Sequence, residues 1–418
     1  MGHTVIRIPP ALRHRQFTLL WAGLLISMIG NQMQHWALFW HISKLSAEPI
    51  AVSIVGGVRF TGVVAFSMIG GLLADRYNRR TILFITQSVE LGVALVLGLL
   101  TMLGHIQLWH IYLLTGIQAA AAAFDIPARQ SLVPNLVPRE DLPNAFSLQS
   151  IAFNTGAIIG PALSGLVIAY WGQEFAYLTN ALTFLTVIVA LLIMGSTPQH
   201  RAAVRTGFRA AVQDMRDGIH FIRRQPLILS SMILDFLATF FASAKTLLPY
   251  FAQFVLQVDE VAYGWLAAAS SVGAVVVGLV ISQFGHVRRQ GRLLLGAVFV
   301  FGLAAILFGL SRLYLVVFGA LALMGASDSV STIIRNTIRN LYTPDSLRGR
   351  MTGINQIFFM GGPQLGEVEA GAVAQGFGVP FSIVTGGVGT ILTAVLIAAR
   401  WPMLVRYNGD EPPPAKRT

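Results

Sequence analysis

Gly71-Leu72-Leu73-Ala74-Asp75-Arg76-Tyr77-Asn78-Arg79-Arg80 is the stretch whose reading decides the fold. It separates two apolar runs, 51–73 and 81–102. A turn carrying three arginines and one acid is expensive to place in hydrocarbon, whereas each flanking run is long enough to cross it. The stretch reads as a tight basic connection between two membrane-spanning helices.

The rest of the chain repeats that pattern. Its 418 residues are 55% hydrophobic and 11% charged, with mean hydropathy +0.67, against about 25% charged residues in soluble chains. A spanning helix needs roughly 20 apolar residues. Twelve runs qualify: 17–42, 51–74, 81–103, 107–126, 145–169, 174–195, 227–252, 260–283, 291–310, 312–333, 351–374 and 380–401. Helices are expected, because each backbone group must find its partner within its own segment. The first run has a basic head but no small-residue cleavage site, and is read as a span rather than a signal peptide. There is no cysteine, which removes disulfides and thiolate metal sites. The net charge of +11 does not indicate nucleic acid, since it lies in the connections and not on a soluble face.

Those connections set the orientation. All Lys and Arg fall on one side of the expected spans except Lys44 and Arg312, on the other, and Arg59 and Lys245, inside spans. The positive-inside rule then puts both termini in the cytoplasm. The longest polar stretch, 196–226, divides the chain into six-span halves, 1–195 and 227–402, leaving 403–418 as a Pro-rich, charged and disordered tail. Within 196–226 the segment 208–221 reads either as an amphipathic helix on the anionic inner leaflet or as a plain basic linker.

The halves repeat one another. At an offset of 206, Arg129 matches Arg335, Pro138 matches Pro344, Gly156 matches Gly362, Gly160 matches Gly366 and Gly165 matches Gly371. Shifted by one residue, Gly71-Leu72 matches Gly278-Leu279, and Ser282 stands where Asp75 does. Two related halves around a site near the bilayer midplane are a transporter architecture.

Three sets of residues carry a family resemblance. Gly71 to Arg80 resembles the loop signature of the major facilitator superfamily, Gly-x-x-x-Asp-Arg-x-Gly-Arg-Arg/Lys, with Asn78 for the second glycine; Asn tolerates left-handed backbone better than other non-glycine residues. The resemblance implies a cytoplasmic latch built from Gly71, Asp75, Arg76, Arg79, Arg80, Asp125 and Arg129. In it Asp75 meets the start of the eleventh span near Gly353, and Arg79 meets Asp125. Gly156, Gly160, Pro161 and Gly165 resemble the fifth-helix motif of the superfamily's exporters, with Ser164 for one glycine. Small residues four apart let a partner helix approach, and Gly273 and Gly278 of the eighth span are expected partners. Phe124 to Pro134, Phe221 to Pro226 and Thr343 to Arg350 resemble the enterobactin-exporter-like and multidrug efflux branch.

Charged and polar groups inside spans are the remaining chemistry. An ionisable group there costs roughly 2.5–3.5 kcal/mol on insertion scales, so it faces a partner or a wet cavity. The cavity or coupling candidates are Asn31, Gln32, His35, Arg59, Asp235, Lys245, Asp328, Glu367 and Glu369, with Glu90 read as structural. Glu367 and Glu369 point about 200° apart on a helix, so at most one looks squarely into a cavity. Arg59 lies at matched depth with them, which suggests a pair between the second and eleventh spans. Lys245 is about ten residues, roughly 15 Å, beyond Asp235 on its helix, so those two do not pair directly. His35 reads as a titrating group or as a hydrogen-bond partner.

No His/Asp/Glu spacing makes a metal site, and no Gly-x-x-x-x-Gly-Lys-Ser/Thr loop supports ATP drive. No cofactor is expected. The expected partners are a small-molecule substrate, protons and membrane lipid. The reading is an all-α multi-pass protein of the bacterial inner membrane that exports small amphipathic compounds, siderophore or drug-like, by proton antiport. A facilitator or importer without proton coupling is the alternative. A non-transporting scaffold should lose its intramembrane polar residues, and an enzyme needs a nucleophile–base or metal constellation that the chain lacks.

Overall fold

The structure, a computed structural model, describes residues 9–195, 208–283, 288–344 and 347–409, without the side chains of 67–76 and of parts of 208–214 and 348–359. Among the described residues every regular element is helical. The long helices are α1 (Arg15–Leu45), α2 (Ile50–Arg76), α3 (Arg79–Met102), α4 (Leu108–Leu132), α5 (Leu142–Trp171) and α6 (Gln173–Met194). After α7 (Phe208–Arg224), α8 (Pro226–Phe241) continues through a 3-10 stretch (Ala242–Leu247), the single turn α9 (Leu248–Tyr250) and a π turn (Phe251–Leu256). Then come α10 (Glu260–Ser282), α11 (Gln290–Leu310), α12 (Tyr314–Tyr342), α13 (Arg348–Phe377), α14 (Val379–Arg400) and the short α15 (Pro402–Arg406).

Nine helical segments among the described residues are long and apolar enough to cross a membrane. The helices α1, α2 and α13 are as long, at 31, 27 and 30 residues, and the part of α2 with described side chains, Ile50–Phe66, is itself apolar. Lipid as solvent shows in the side chains left outside: Leu182, Leu315 and Leu396 are 66%, 80% and 66% exposed, a pattern no aqueous surface of this density sustains.

The contacts divide into two compact units, one within Met1–Leu38 and Thr61–Arg205, the other within Phe39–Phe60 and Thr206–Thr418. The ends of α1 and α2 that meet at their connection therefore belong to the second unit. In the first, α3 packs on α4 and α6; in the second, α11 packs on α12 and α14. One-residue joints repeat too: Gly172 (φ 98°) joins α5 to α6 and Gly378 (φ 91°) joins α13 to α14. These glycines are 206 residues apart, and the conformation is one that only glycine adopts without strain.

Three expectations change. Asn78 is not left-handed; its φ is −65°, and its side chain accepts from the amide of Arg80 as the N-cap of α3. A capping oxygen, not a permissive backbone, is what this position requires. Of the two readings of 208–221 the helix is the one found, as α7, and the linker is not; α7 packs on α8 and α13 and buries Ile222. The expected tail from 403 begins with α15, held down by the buried Leu404 and Tyr407; residues 410–418 lie outside the described ones.

Candidate functional site

On α12, Thr332, Arg335, Asn336 and Arg339 recur at helical spacing and form one polar stripe, with Asp328 one turn before it. On α8, Ser231 and Asp235 are one turn apart and face that stripe. Arg335 forms an ion pair with Asp235, and its Nη2 lies 3.8 Å from Asp328 Oδ1. Nη2 also donates to Thr332 Oγ1 at 2.8 Å, and Arg339 Nη2 donates to Asn336 Oδ1 at 2.9 Å. All of these groups except Asp328, with Asn355 of α13, line a cavity of about 220 Å³. The side chains of Arg335 and Asp235 are each 10% exposed, whereas that of Asp328 is 50% exposed. One cation is thus shared between a buried acid and a more exposed one.

Sequence reasoning had singled out Asp235 and Asp328 but counted Arg335 and Arg339 as cytoplasmic charge beyond a span ending at 333. The helix runs on to Tyr342. The missed signal was the seven-residue spacing of Arg335 from Asp328, two helical turns on one face.

A second set of charges lies further along the same unit. Lys245, in the 3-10 stretch after α8, is within coulombic reach of Asp328 and of Glu367. Glu367 is in turn within coulombic reach of Arg59. Its carboxylate rests against Gly56, where an added Cβ would meet Oε2 at 2.6 Å. The Arg59 guanidinium carbon stands 5.7 Å from the centre of the Phe39 ring, a cation–π distance. Glu367, and not the half-buried Glu369, is therefore the acid that faces Arg59. Charges alternate in sign from Arg59 through Glu367, Lys245, Asp328 and Arg335 to Asp235.

In the first unit Asp125 is buried and held by several donors. It pairs with Arg129 one turn on, and its Oδ1 accepts from Thr86 Oγ1 at 3.1 Å and Gln87 Nε2 at 2.9 Å. Glu90 is buried within coulombic reach of both Asp125 and Arg129. Where the latch reading joins Arg79 to Asp125, the structure gives Arg79 Nη1 donating to the carbonyl of Ser131 at 2.8 Å, and Arg80 Nε to that of Leu191 at 2.7 Å. Arginine forks thus cap the carbonyl ends of α4 and α6. The side chains of Asp75 and Arg76, at the end of α2 with Gly71, and the environment of Gly353 lie outside the described residues.

The chain matches the transmembrane secretion effector family over residues 8–411. It belongs to that family. The enterobactin exporter EntS of Shigella boydii serotype 18 is 28% identical over 367 residues, 87% of this chain and 85% of the relative. The enterobactin exporter EntS of Escherichia coli O1:K1 matches at the same identity and coverage. Among solved structures, a bacterial homologue of the human lysosomal transporter Spinster, inward-facing and occupied, superposes with TM-score 0.72 at 15% identity, covering 96% of this chain and 98% of that one. A bacterial homologue of the iron transporter ferroportin gives TM-score 0.68 at 16% identity, covering 93% and 98%. The fold is that of major facilitator transporters, and the chain is a multi-pass transporter of the bacterial inner membrane, not an enzyme.

In this secretion effector the fifth-helix motif packs, within its own unit, on α1. An added Cβ at Gly156 would meet the Met28 carbonyl at 2.9 Å, and one at Gly160 would meet Gln32 Cβ at 2.5 Å and the Ile29 carbonyl at 2.8 Å, so α5 lies directly on α1. Gly273 serves a contact of α10 with Ala322 of α12, and Gly278 has open space. Pro161 is buried within an α5 that continues through it, and Gly165 is buried beyond it. The polar cluster of α1 is divided between two neighbours: Asn31 accepts from Asn180 Nδ2 of α6 at 3.3 Å, while Gln32 lies against α5. His35 stands edge-on to Trp36, with ring centres 5.6 Å apart.

Proposed function

We propose that this secretion effector exports small amphipathic organic compounds, siderophore or drug-like, in exchange for protons. Twelve spans form two pseudo-symmetric six-helix halves, 1–195 and 227–402, with both termini cytoplasmic, and alternating access moves the substrate between faces. Lengths of 27 residues or more for α1, α2 and α13, the repeated joints and the match to exporters support that arrangement. The latch of Gly71, Asp75, Arg76, Arg79 and Arg80, with Asp125 and Arg129, closes the cytoplasmic side.

The observation that carries the coupling is Arg335 held between Asp235 and Asp328. Protonation cancels the cost of a carboxylate in apolar surroundings. A proton on either acid hands Arg335 to the other. Two discrete arrangements of one cation are the kind of element an access change needs.

Everted vesicles loaded by a pH gradient test this reading with a fluorescent amphipathic substrate. Uptake should collapse when nigericin dissipates the gradient. Asp235→Asn and Asp328→Asn should each lose gradient-driven uptake and keep substrate counterflow. Uptake indifferent to the gradient in the unmodified protein favours the facilitator; full gradient-driven uptake in both variants removes these acids from coupling and moves attention to Glu367 and Glu369.

A further inference from the structure

The cavity between α8, α12 and α13 carries an imbalance of charge that the ion pairs do not remove. Arg335 is neutralised by Asp235. Arg339, half-buried on the same wall, has no carboxylate within 4.0 Å among the described residues and donates to the neutral Asn336. The wall carries two guanidinium groups and one carboxylate, and Asp328, off that wall, lies against Arg335 and not Arg339, so the positive charge of Arg339 faces the space without an acid beside it. A half-buried cation without an acid calls for an anion. The guanidinium offers a planar fork that matches an oxyacid in two-point contact, which a lysine would not.

The rest of the lining suits the same group. Asn336 and Asn355 carry amide donors at the cavity edge, and Met232 supplies an apolar wall. The volume, about 220 Å³, is below the roughly 300–1,000 Å³ of pockets that enclose a whole drug-sized ligand. It accommodates the head of a molecule, with the body lying outside.

We infer that this cavity is the subsite for a monoanionic oxyacid head, a carboxylate or phosphate ester, on the apolar body of the exported solute, with Arg339 as its anchor. The inference rests on the export reading for its choice of a solute and narrows the substrate class to anionic amphiphiles. A phospholipid headgroup offers the same oxyacid chemistry and is separated from the solute by the choice of lipid below.

Benzoate and benzamide are nearly the same shape and differ in charge, so they probe the anchor directly. The full-length protein is placed in phosphatidylcholine nanodiscs, without gradient or turnover, and both probes are titrated by saturation-transfer NMR. Benzoate should bind about tenfold or more tightly than benzamide, the ratio expected of one charged hydrogen-bonded contact. Arg339→Gln should abolish the difference, and Arg339→Lys should retain part of it, which separates lost charge from lost fold. Equal binding of the two probes, or an undiminished preference in Arg339→Gln, overturns the subsite. Displacement of benzoate when phosphatidylglycerol replaces part of the phosphatidylcholine overturns the assignment to a solute and gives the site to lipid. Because no transport is measured, a failure here leaves the vesicle result standing, and a failure of export leaves the binding result standing.

Discussion

Arg335 of α12 reaches Asp235 of α8 while lying 3.8 Å from Asp328 on its own helix. The matching arginine of the first repeat, Arg129, is instead paired within α4 to Asp125. The repeat preserves the cation and changes the acid. In one unit the pair is local and boxed in by Thr86 and Gln87; in the other it joins two helices and opens on a cavity.

The inter-helix pair should be costly to break singly. Arg335→Gln leaves a carboxylate that is 10% exposed without its cation, a loss of about 3–5 kcal/mol. Asp235→Asn with Arg335→Gln together should lose less than the sum. Thermal unfolding of all four proteins in one detergent measures the coupling, and strict additivity would contradict the pair.

Asp125→Asn should behave differently from either cavity acid. Its partners are buried and local, so the variant should lower unfolding temperature while the gradient dependence of transport per folded molecule stays unchanged. A shift in that dependence would place Asp125 in the coupling machinery.

The latch predicts that Asp75→Asn lowers transport while membrane insertion and expression stay level. One charge-assisted contact of about 1.5–3 kcal/mol is lost, enough to slow a cycle without unfolding a helix end. Undiminished transport at equal expression would reduce the basic turn to a topology signal.

Close helix approach predicts a contrast between two glycines. Gly160→Val should strongly reduce the folded yield, because its Cβ would sit 2.5 Å from Gln32 Cβ with the α1 backbone at 2.8 Å. Gly278→Ala, in open space, should be neutral or slightly stabilising through helix propensity. Size-exclusion profiles of the two variants decide it, and equal behaviour would mean that α5 and α1 separate readily.

Arg59 and Glu367 should show charge complementarity. Neutralising either alone leaves a half-buried charge without its counterpart, so Arg59→Gln and Glu367→Gln should each impair transport. The exchange Arg59→Glu with Glu367→Arg should recover part of it, and recovery with Glu369→Arg in place of Glu367→Arg would show that the wrong acid has been paired.

The sequence by itself determined the solvent, the element type and the number of long apolar runs. Those follow from run length and from the obligation of each backbone group to bond within its segment, both local properties. Some boundaries agree closely, the run 260–283 being α10 at Glu260–Ser282 and 174–195 being α6 at Gln173–Met194, whereas 312–333 continues as α12 to Tyr342 and 107–126 as α4 to Leu132. The repeat was legible for the same reason, since small residues at fixed spacing are written in the chain. Only the tertiary structure decided which charges meet. Arg335 looked like a flanking charge because a sequence shows its apolar neighbours on α12 and not Asp235, a hundred residues away on α8. Glu367 and Glu369 are equivalent as text and differ because one faces Gly56, which has no side chain to keep a carboxylate away. Hydropathy is additive along a chain, so it can be read there; the cost of an intramembrane charge depends on a partner brought by folding, and so cannot.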